Sequence, residues 1–166
     1  MPFAILQGMR IELTKQLGVL QAMTARLTDL GERARLVVRS AEKGHRPYDA
    51  GFEQDFAHLR MEVRVMVAKM SDFEHFAARA LRVLEKLPNV DEASAMSKTV
   101  LMAAKNFKLE LENFAAQVSV SKNYFRKMSS HIYWWDLEQL SSEMTRSIAQ
   151  IILLITAISN AADKSS

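Results

Sequence analysis

Apolar residues recur along this chain at alternating spacings of three and four, the pattern of a helix with one buried face. Four such runs of positions, called seams here, can be followed, and none contains a charged residue. Because charged residues make up 25% of the chain, uncharged faces of this length predict four long amphipathic helices. The seams run from Leu6 to Ala41, from Phe52 to Leu87, from Ser97 to Ile132 and from Leu137 to Ala161.

The interruptions between the seams coincide with residues that end or begin helices. Gly44–Gly51 contains two glycines and a proline, and Pro88–Asn89 is followed by Asp91, a residue type that caps helices. The third break is set between Ser129 and Trp135, because the fourth seam restarts out of phase with Asp136 as its cap. These breaks predict helices at roughly 3–43, 52–87, 91–130 and 136–162.

Long helices joined by short connections pack as antiparallel neighbours. The predicted fold is therefore all-α: one domain over residues 1–166, an elongated antiparallel up-down-up-down four-helix bundle with coiled-coil-like heptad seams. One continuous helix from Asp91 to about Ala162, about 110 Å long, is the alternative for the second half. Gly8, Gly18 and Gly31 are predicted on the outer face of the first helix, where each glycine lowers helix propensity by about 1 kcal/mol.

The composition excludes several kinds of chemistry but does not identify a function. The chain has no cysteine, which excludes disulfides, thiolate metal sites and cysteine nucleophiles. Its net charge is only +3, so a nucleic-acid partner is not expected. The start of the chain lacks a basic segment followed by a sustained apolar one, which predicts no signal peptide and a cytoplasmic location, with signal-less secretion as the alternative.

Histidines and carboxylates at metal-ligand spacing lie away from the predicted core. Asp55 with His58 and Asp72 with His75 are both on the second helix and off its seam, so they cannot form the inward-facing pairs of a di-metal bundle. His75 with Arg79 has part of the pattern of a phosphotransfer histidine. We nevertheless expect His75 to be a solvated surface histidine. No metal and no cofactor are predicted.

Two pairs of residues have the spacing of a catalytic site. Helical ribonucleases of the HEPN type use an arginine followed four to six residues later by a histidine, and both Arg126 with His131 and Arg39 with His45 have this spacing. Chance alone accounts for such spacings in this chain. Arg126 with His131, beside the aromatic cluster, is the pair predicted for an enzymatic alternative.

An aromatic cluster precedes the fourth seam and includes Tyr133, Trp134 and Trp135. Such rings beside cations suit a contact surface, whereas rings at a helical hairpin end also plug the core. Adjacent helical positions point about 100° apart, so both tryptophans cannot face inward. Trp135 continues the third seam and is predicted to be buried, which leaves Trp134 for contact.

The last helix has more apolar surface than a bundle needs. Between Arg146 and Asp163 there is no charge, but this stretch rises only about 24 Å, against about 30 Å for a membrane core. The seam and the residues that flank it form the face that the bundle buries, while Ile152 and Leu153 lie on the opposite face. A protein partner or a second copy is predicted to cover it, through Ile148, Ile152, Leu153, Ile155, Trp134 and Tyr133.

A basic patch lies at the C-terminal end of the first predicted helix. Such runs are usually solvated, and in a functional reading this one attracts acidic lipid or an acidic protein surface. The patch consists of Arg33, Arg35, Arg39, Lys43 and Arg46.

Together these features favour a non-enzymatic interaction module that self-associates or docks on a protein partner through its apolar C-terminal helix. The first alternative is a membrane-active or peripheral membrane bundle of the toxin-like kind. The second is the HEPN-like ribonuclease with Arg126 and His131.

Overall fold

The structure is a computed structural model that describes residues 2–42, 50–120 and 131–165, with side chains described for 2–32, 58, 60–116 and 136–164. Within these ranges the chain is all-α, with four helices and no strand. This confirms the all-α part of the predicted fold, with its four helices. The helices are α1 (Pro2–Glu42), α2 (Ala50–Glu85), α3 (Asp91–Val120) and α4 (His131–Ser165).

The start of α4 corrects the sequence prediction. The helix already includes His131, so residues 131–135 are helical and Asp136 lies inside α4 instead of capping it. The prediction was wrong because a phase shift in the apolar pattern marks where the buried face rotates, and the hydrogen-bonded helix can begin earlier. The predicted helical residues 121–130 lie outside the described residues.

The end of α2 tightens before the chain turns. The N–H groups of Lys86 and Leu87 donate to carbonyl oxygens three residues earlier, each at 3.1 Å, which satisfies two of the free carbonyls of the last turn. Pro88 follows and cannot continue the helix. Asn89 then takes a φ of 59°, a left-handed conformation that asparagine tolerates better than most residues.

The start of α3 is displaced by one residue from its predicted cap. The carbonyl oxygen of Val90 accepts the first helical hydrogen bond, from the Ser94 N–H at 2.8 Å. Val90 therefore holds the cap position, and Asp91 is the first helical residue. Asp91 and Glu92 nevertheless lie in the first turn, where their negative charge favours the helix dipole.

Contacts between the helices are those of a bundle. Among the described residues, α1 packs mainly on α4, α2 packs on α3, and α3 also packs on α4, whereas α1 and α2 share few contacts. Phe114 of α3 and Leu140 of α4 line the same cleft. In one continuous straight helix these residues would be about 39 Å apart, so the single-helix alternative is wrong.

The core consists of the apolar residues on the inward faces of all four helices. Leu13, Phe73, Leu111 and Met144 are among its fully buried side chains. Of the seam positions with described side chains, only Gln16, Leu87 and Ser147 are half-buried, and all others are buried. The apolar periodicity therefore identified the core residues, because helical spacing places them on one side of each helix.

Gly31 departs from its predicted position. It is buried, and a Cβ atom built on it would lie 3.6 Å from Cβ of Leu137 on α4. Gly8 and Gly18 are exposed as predicted, with nothing within 4 Å of the same built atom. The burial of Gly31 follows from the close approach of α1 and α4, which the pattern along α1 does not contain.

Candidate functional site

The outward side of α4 is an exposed surface without charge, called the α4 face here. Arg146 bounds it at one end, and Asp163 with Lys164 bounds it at the other. Ile152 and Leu153 are its large apolar members, with exposed fractions of 46% and 56%. The exposed residues between the boundaries are Ala149, Ile152, Leu153, Thr156 and Asn160.

Helix geometry explains why these two side chains stay outside. Successive residues turn by about 100°, and Ile151 and Leu154 both point into the core. Ile152 and Leu153, lying between them, therefore point away. The bundle has no further helix on that side among the described residues.

The other two predicted contact residues of this helix lie elsewhere. Ile148 and Ile155 are half-buried and pack against the core. They flank the buried stripe, so most of their surface is used within the chain. The predicted set thus divides into Ile152 and Leu153, which are available for a partner, and Ile148 and Ile155, which are largely not.

The polar groups of the α4 face offer little hydrogen bonding. The Thr156 hydroxyl donates to the Ile152 carbonyl oxygen at 3.1 Å, and just beyond the face the Thr145 hydroxyl donates to the Ser141 carbonyl oxygen at 2.9 Å. A hydroxyl bonded to its own helix presents mainly its methyl group to the outside. The other exposed polar residue of the face is Asn160, which presents an amide group.

The segment Asp136–Lys164 also meets the length and composition of a membrane-crossing helix. It spans 29 residues, and an 18-residue stretch within it has a mean hydropathy of 1.3 and is 28% buried. The uncharged stretch between Arg146 and Asp163 is only part of this segment, which also includes the residues from Asp136 to Arg146. A helix at the centre of a soluble core is mostly buried, but α4 has a single buried stripe.

A carboxyl pair links α3 to α4 about one turn before Arg146, the residue that bounds the α4 face. The side chains of Glu110 and Glu143 lie within hydrogen-bonding reach of each other, and Glu143 is partly desolvated. Desolvation raises the pKa of Glu143 to about 7, the hydrogen bond and negative charge of Glu110 act in the same direction, and Arg146 opposes them. Sequence reasoning missed this pair, because both residues are off their seams and nothing in the sequence aligns two separate helices.

Several predicted sites fall where no side chain is described. Tyr133, Trp134 and Trp135 lie in the first turns of α4, and His131 is its first residue. Arg126 lies outside the described residues. The aromatic contact and the ribonuclease pair therefore stay predictions.

The side chains of the basic patch also lie outside the described set. Arg33, Arg35 and Arg39 are on the C-terminal part of α1, with side chains outside the described set. Lys43 and Arg46 follow the end of that helix and lie outside the described residues. The role assigned to this patch also stays a prediction.

The two histidines on α2 are exposed. His58 and His75 both point away from the core. Within the described part of the chain, no group of three or more histidine, cysteine or acidic side chains is arranged to hold a metal ion.

Comparison of the chain with protein-family models, curated proteins and solved structures finds no match. The function of the chain is therefore inferred from the geometry of the bundle and the chemistry of its surfaces.

Proposed function

We propose that this protein is a non-enzymatic helical interaction module that self-associates through the α4 face. The observation that carries the proposal is the exposure of Ile152 and Leu153 on a surface without charge. Adjacent exposed large apolar residues in an uncharged setting are typical of contact surfaces.

A second copy of the chain fits this face better than an unlike partner. In a two-fold dimer each surface meets itself, so like charges would oppose each other across the axis. The α4 face has no such charges between Arg146 and Asp163. An exposed Asn160 within an apolar helical contact would set the register, as a single polar residue does in coiled coils.

Within the proposal, the bundle is antiparallel, up-down-up-down, with coiled-coil-like packing. Contacts between distant parts of the sequence support this arrangement. Thr28 Oγ1 of α1 is 2.8 Å from Ser141 Oγ of α4, and Lys108 Nζ of α3 is 3.1 Å from Glu74 Oε2 of α2. An ion pair between Arg26 and Glu62 supports the same arrangement for α1 and α2.

Trp134 and Tyr133 are proposed as a second contact near the start of α4. This part of the proposal is based on the sequence, because aromatic rings beside cations are frequent at the centre of interfaces.

The molar mass in solution tests the proposal. We expect the wild type to have at least the mass of a dimer by light scattering, and Ile152→Asp to have the mass of a monomer with unchanged helical circular dichroism. Leu109→Asp is the matched control, because Leu109 is similarly exposed at 57% but lies on α3. A wild type that is a single monomeric species would overturn the proposal, as would equal loss of mass in both variants.

Insertion of α4 into a membrane is the second candidate, favoured by the apolar segment Asp136–Lys164. Co-sedimentation with vesicles of a neutral phospholipid distinguishes the two functions. Self-association predicts that the protein stays in the supernatant. Recovery of the wild type but not of Ile152→Asp with the vesicles would favour the membrane function instead.

A further inference from the structure

Where the described parts of α1 and α2 lie side by side there is a groove that none of the preceding functions uses. Two clefts lie there, of about 320 and 430 Å³, and both are lined by Glu12, Phe76 and Arg79. Because the clefts share these three residues, they form one continuous groove. Both clefts are largely open to solvent, so a ligand would lie along the surface of the two helices.

The smaller cleft is the apolar end of the groove. Its lining includes Ile5, Met9 and Val83, together with Gly8. Gly8 has nothing within 4 Å of the position where a Cβ atom would be, so its missing side chain leaves space. An aliphatic chain lying here would cover apolar surface that is now exposed to water.

The larger cleft is the cationic end. Arg79 and Arg82 line it from one face of α2, since residues three apart are neighbours on a helix, and His75 lies one turn before Arg79. Neither guanidinium forms an ion pair with another described residue. An arginine without an internal partner can hold a carboxylate by two parallel hydrogen bonds.

The acidic residues of the groove limit the kind of anion. Glu12 Oε1 accepts a hydrogen bond from the Gln16 amide at 3.4 Å, and Asp72 also lines the larger cleft. Two carboxylates offset the charge of two arginines, so the groove has no net positive charge to attract a polyanion such as a nucleic acid or a polyphosphate. A ligand with one negative charge and an apolar body fits both ends.

We propose that the α1–α2 groove binds an aliphatic carboxylate. The carboxylate is held between Arg79 and Arg82, and the chain runs past Phe76 towards Gly8. This site goes beyond the proposed self-association, which depends on α4, so either can fail without the other.

Decanoate is the probe, with calorimetric titration of the intact chain as the measurement. Gly8→Leu fills the apolar end and is expected to abolish binding, while Gly18→Leu is its matched control. Both glycines are exposed on α1 with open space around them, but only Gly8 lines the groove. Leucine is a better helix former than glycine, so both variants are expected to fold.

The cationic end is tested with the double variant Arg79→Gln and Arg82→Gln, which is expected to weaken decanoate binding by about tenfold or more. Arg64→Gln is the control, because Arg64 is an exposed arginine of α2 outside the groove. Decanol should bind the wild type more weakly than decanoate. The proposal is overturned by absence of decanoate binding, by binding that Gly8→Leu leaves intact, or by equal binding of decanol.

Discussion

The carboxyl groups of Glu110 on α3 and Glu143 on α4 lie within hydrogen-bonding reach of each other across the interface of the two helices. Two carboxyl groups form a hydrogen bond only when one of them holds a proton. The bond therefore depends on pH, and it connects α3 to the helix that carries the proposed contact surface.

The stability of the fold should fall as pH rises from about 4.5 to about 7. The pKa of Glu143 is raised from 4.5 to about 7 in the folded chain, so in this range the folded state keeps a proton that the unfolded state has lost. Raising the pH therefore favours unfolding, and the loss of stability from this group is complete above about pH 7. Urea denaturation between pH 4 and pH 8 measures the effect.

Glu143→Gln should remove this part of the pH dependence and stabilise the chain at pH 8, because glutamine resembles the protonated form. The control is Glu92→Gln, a change of an exposed carboxylate on α3 away from the pair. If the pH profile of Glu143→Gln matches that of the wild type, the carboxyl pair does not control the stability of the interface.

Ser97 is a polar residue in the core, and replacing it should stabilise the chain. It is completely buried, and its Oγ has no hydrogen-bond partner among the described residues. Ser97→Ala removes an unsatisfied hydroxyl and should raise the free energy of unfolding by about 1 kcal/mol. For a chain of this size that corresponds to about 2–4 °C in Tm.

Ser142→Ala is the control, because Ser142 is exposed on α4. It measures the effect of the difference in helix propensity between serine and alanine. A lower Tm for Ser97→Ala than for Ser142→Ala would mean that the buried hydroxyl makes a stabilising bond.

Gly31 should accept alanine but not a large side chain. A Cβ atom there would be in ordinary contact with Leu137 and Glu138 at 3.6–4.0 Å. Gly31→Ala should therefore stabilise by up to about 1 kcal/mol through helix propensity. Gly31→Leu should cost about 1–3 kcal/mol, since the larger side chain forces α1 and α4 apart.

Thermal melting of these variants beside Gly18→Ala and Gly18→Leu is the measurement. Gly18 has no atom within 4 Å of a built Cβ, so both changes should be tolerated there. Equal tolerance of leucine at positions 18 and 31 would show that α1 and α4 do not approach closely at Gly31.

The two tryptophans at the start of α4 should differ in effect. On the sequence argument, Trp135→Ala removes a core side chain and costs about 3–5 kcal/mol of stability. Trp134→Ala should leave the melting temperature nearly unchanged and weaken association instead. Melting and light scattering of both variants provide the comparison, and equally large destabilisation would remove Trp134 from the contact surface.

The sequence by itself determined which residues form the core and that the chain is helical. Leu13, Phe73 and Leu111 are buried where the spacing of three and four placed them, because helical periodicity is a local property that each segment carries in its own pattern. The exposure of Ile152 and Leu153 followed from the same rule, since they lie between inward-facing residues on one helix.

Only the tertiary structure decided which residues of different helices meet. The contact of Gly31 with Leu137, the carboxyl pair of Glu110 and Glu143, and the groove beside Arg79 all depend on how far each helix is shifted and rotated against its neighbour. Those offsets result from the packing of side chains from two helices at once, so the pattern along either helix alone does not contain them.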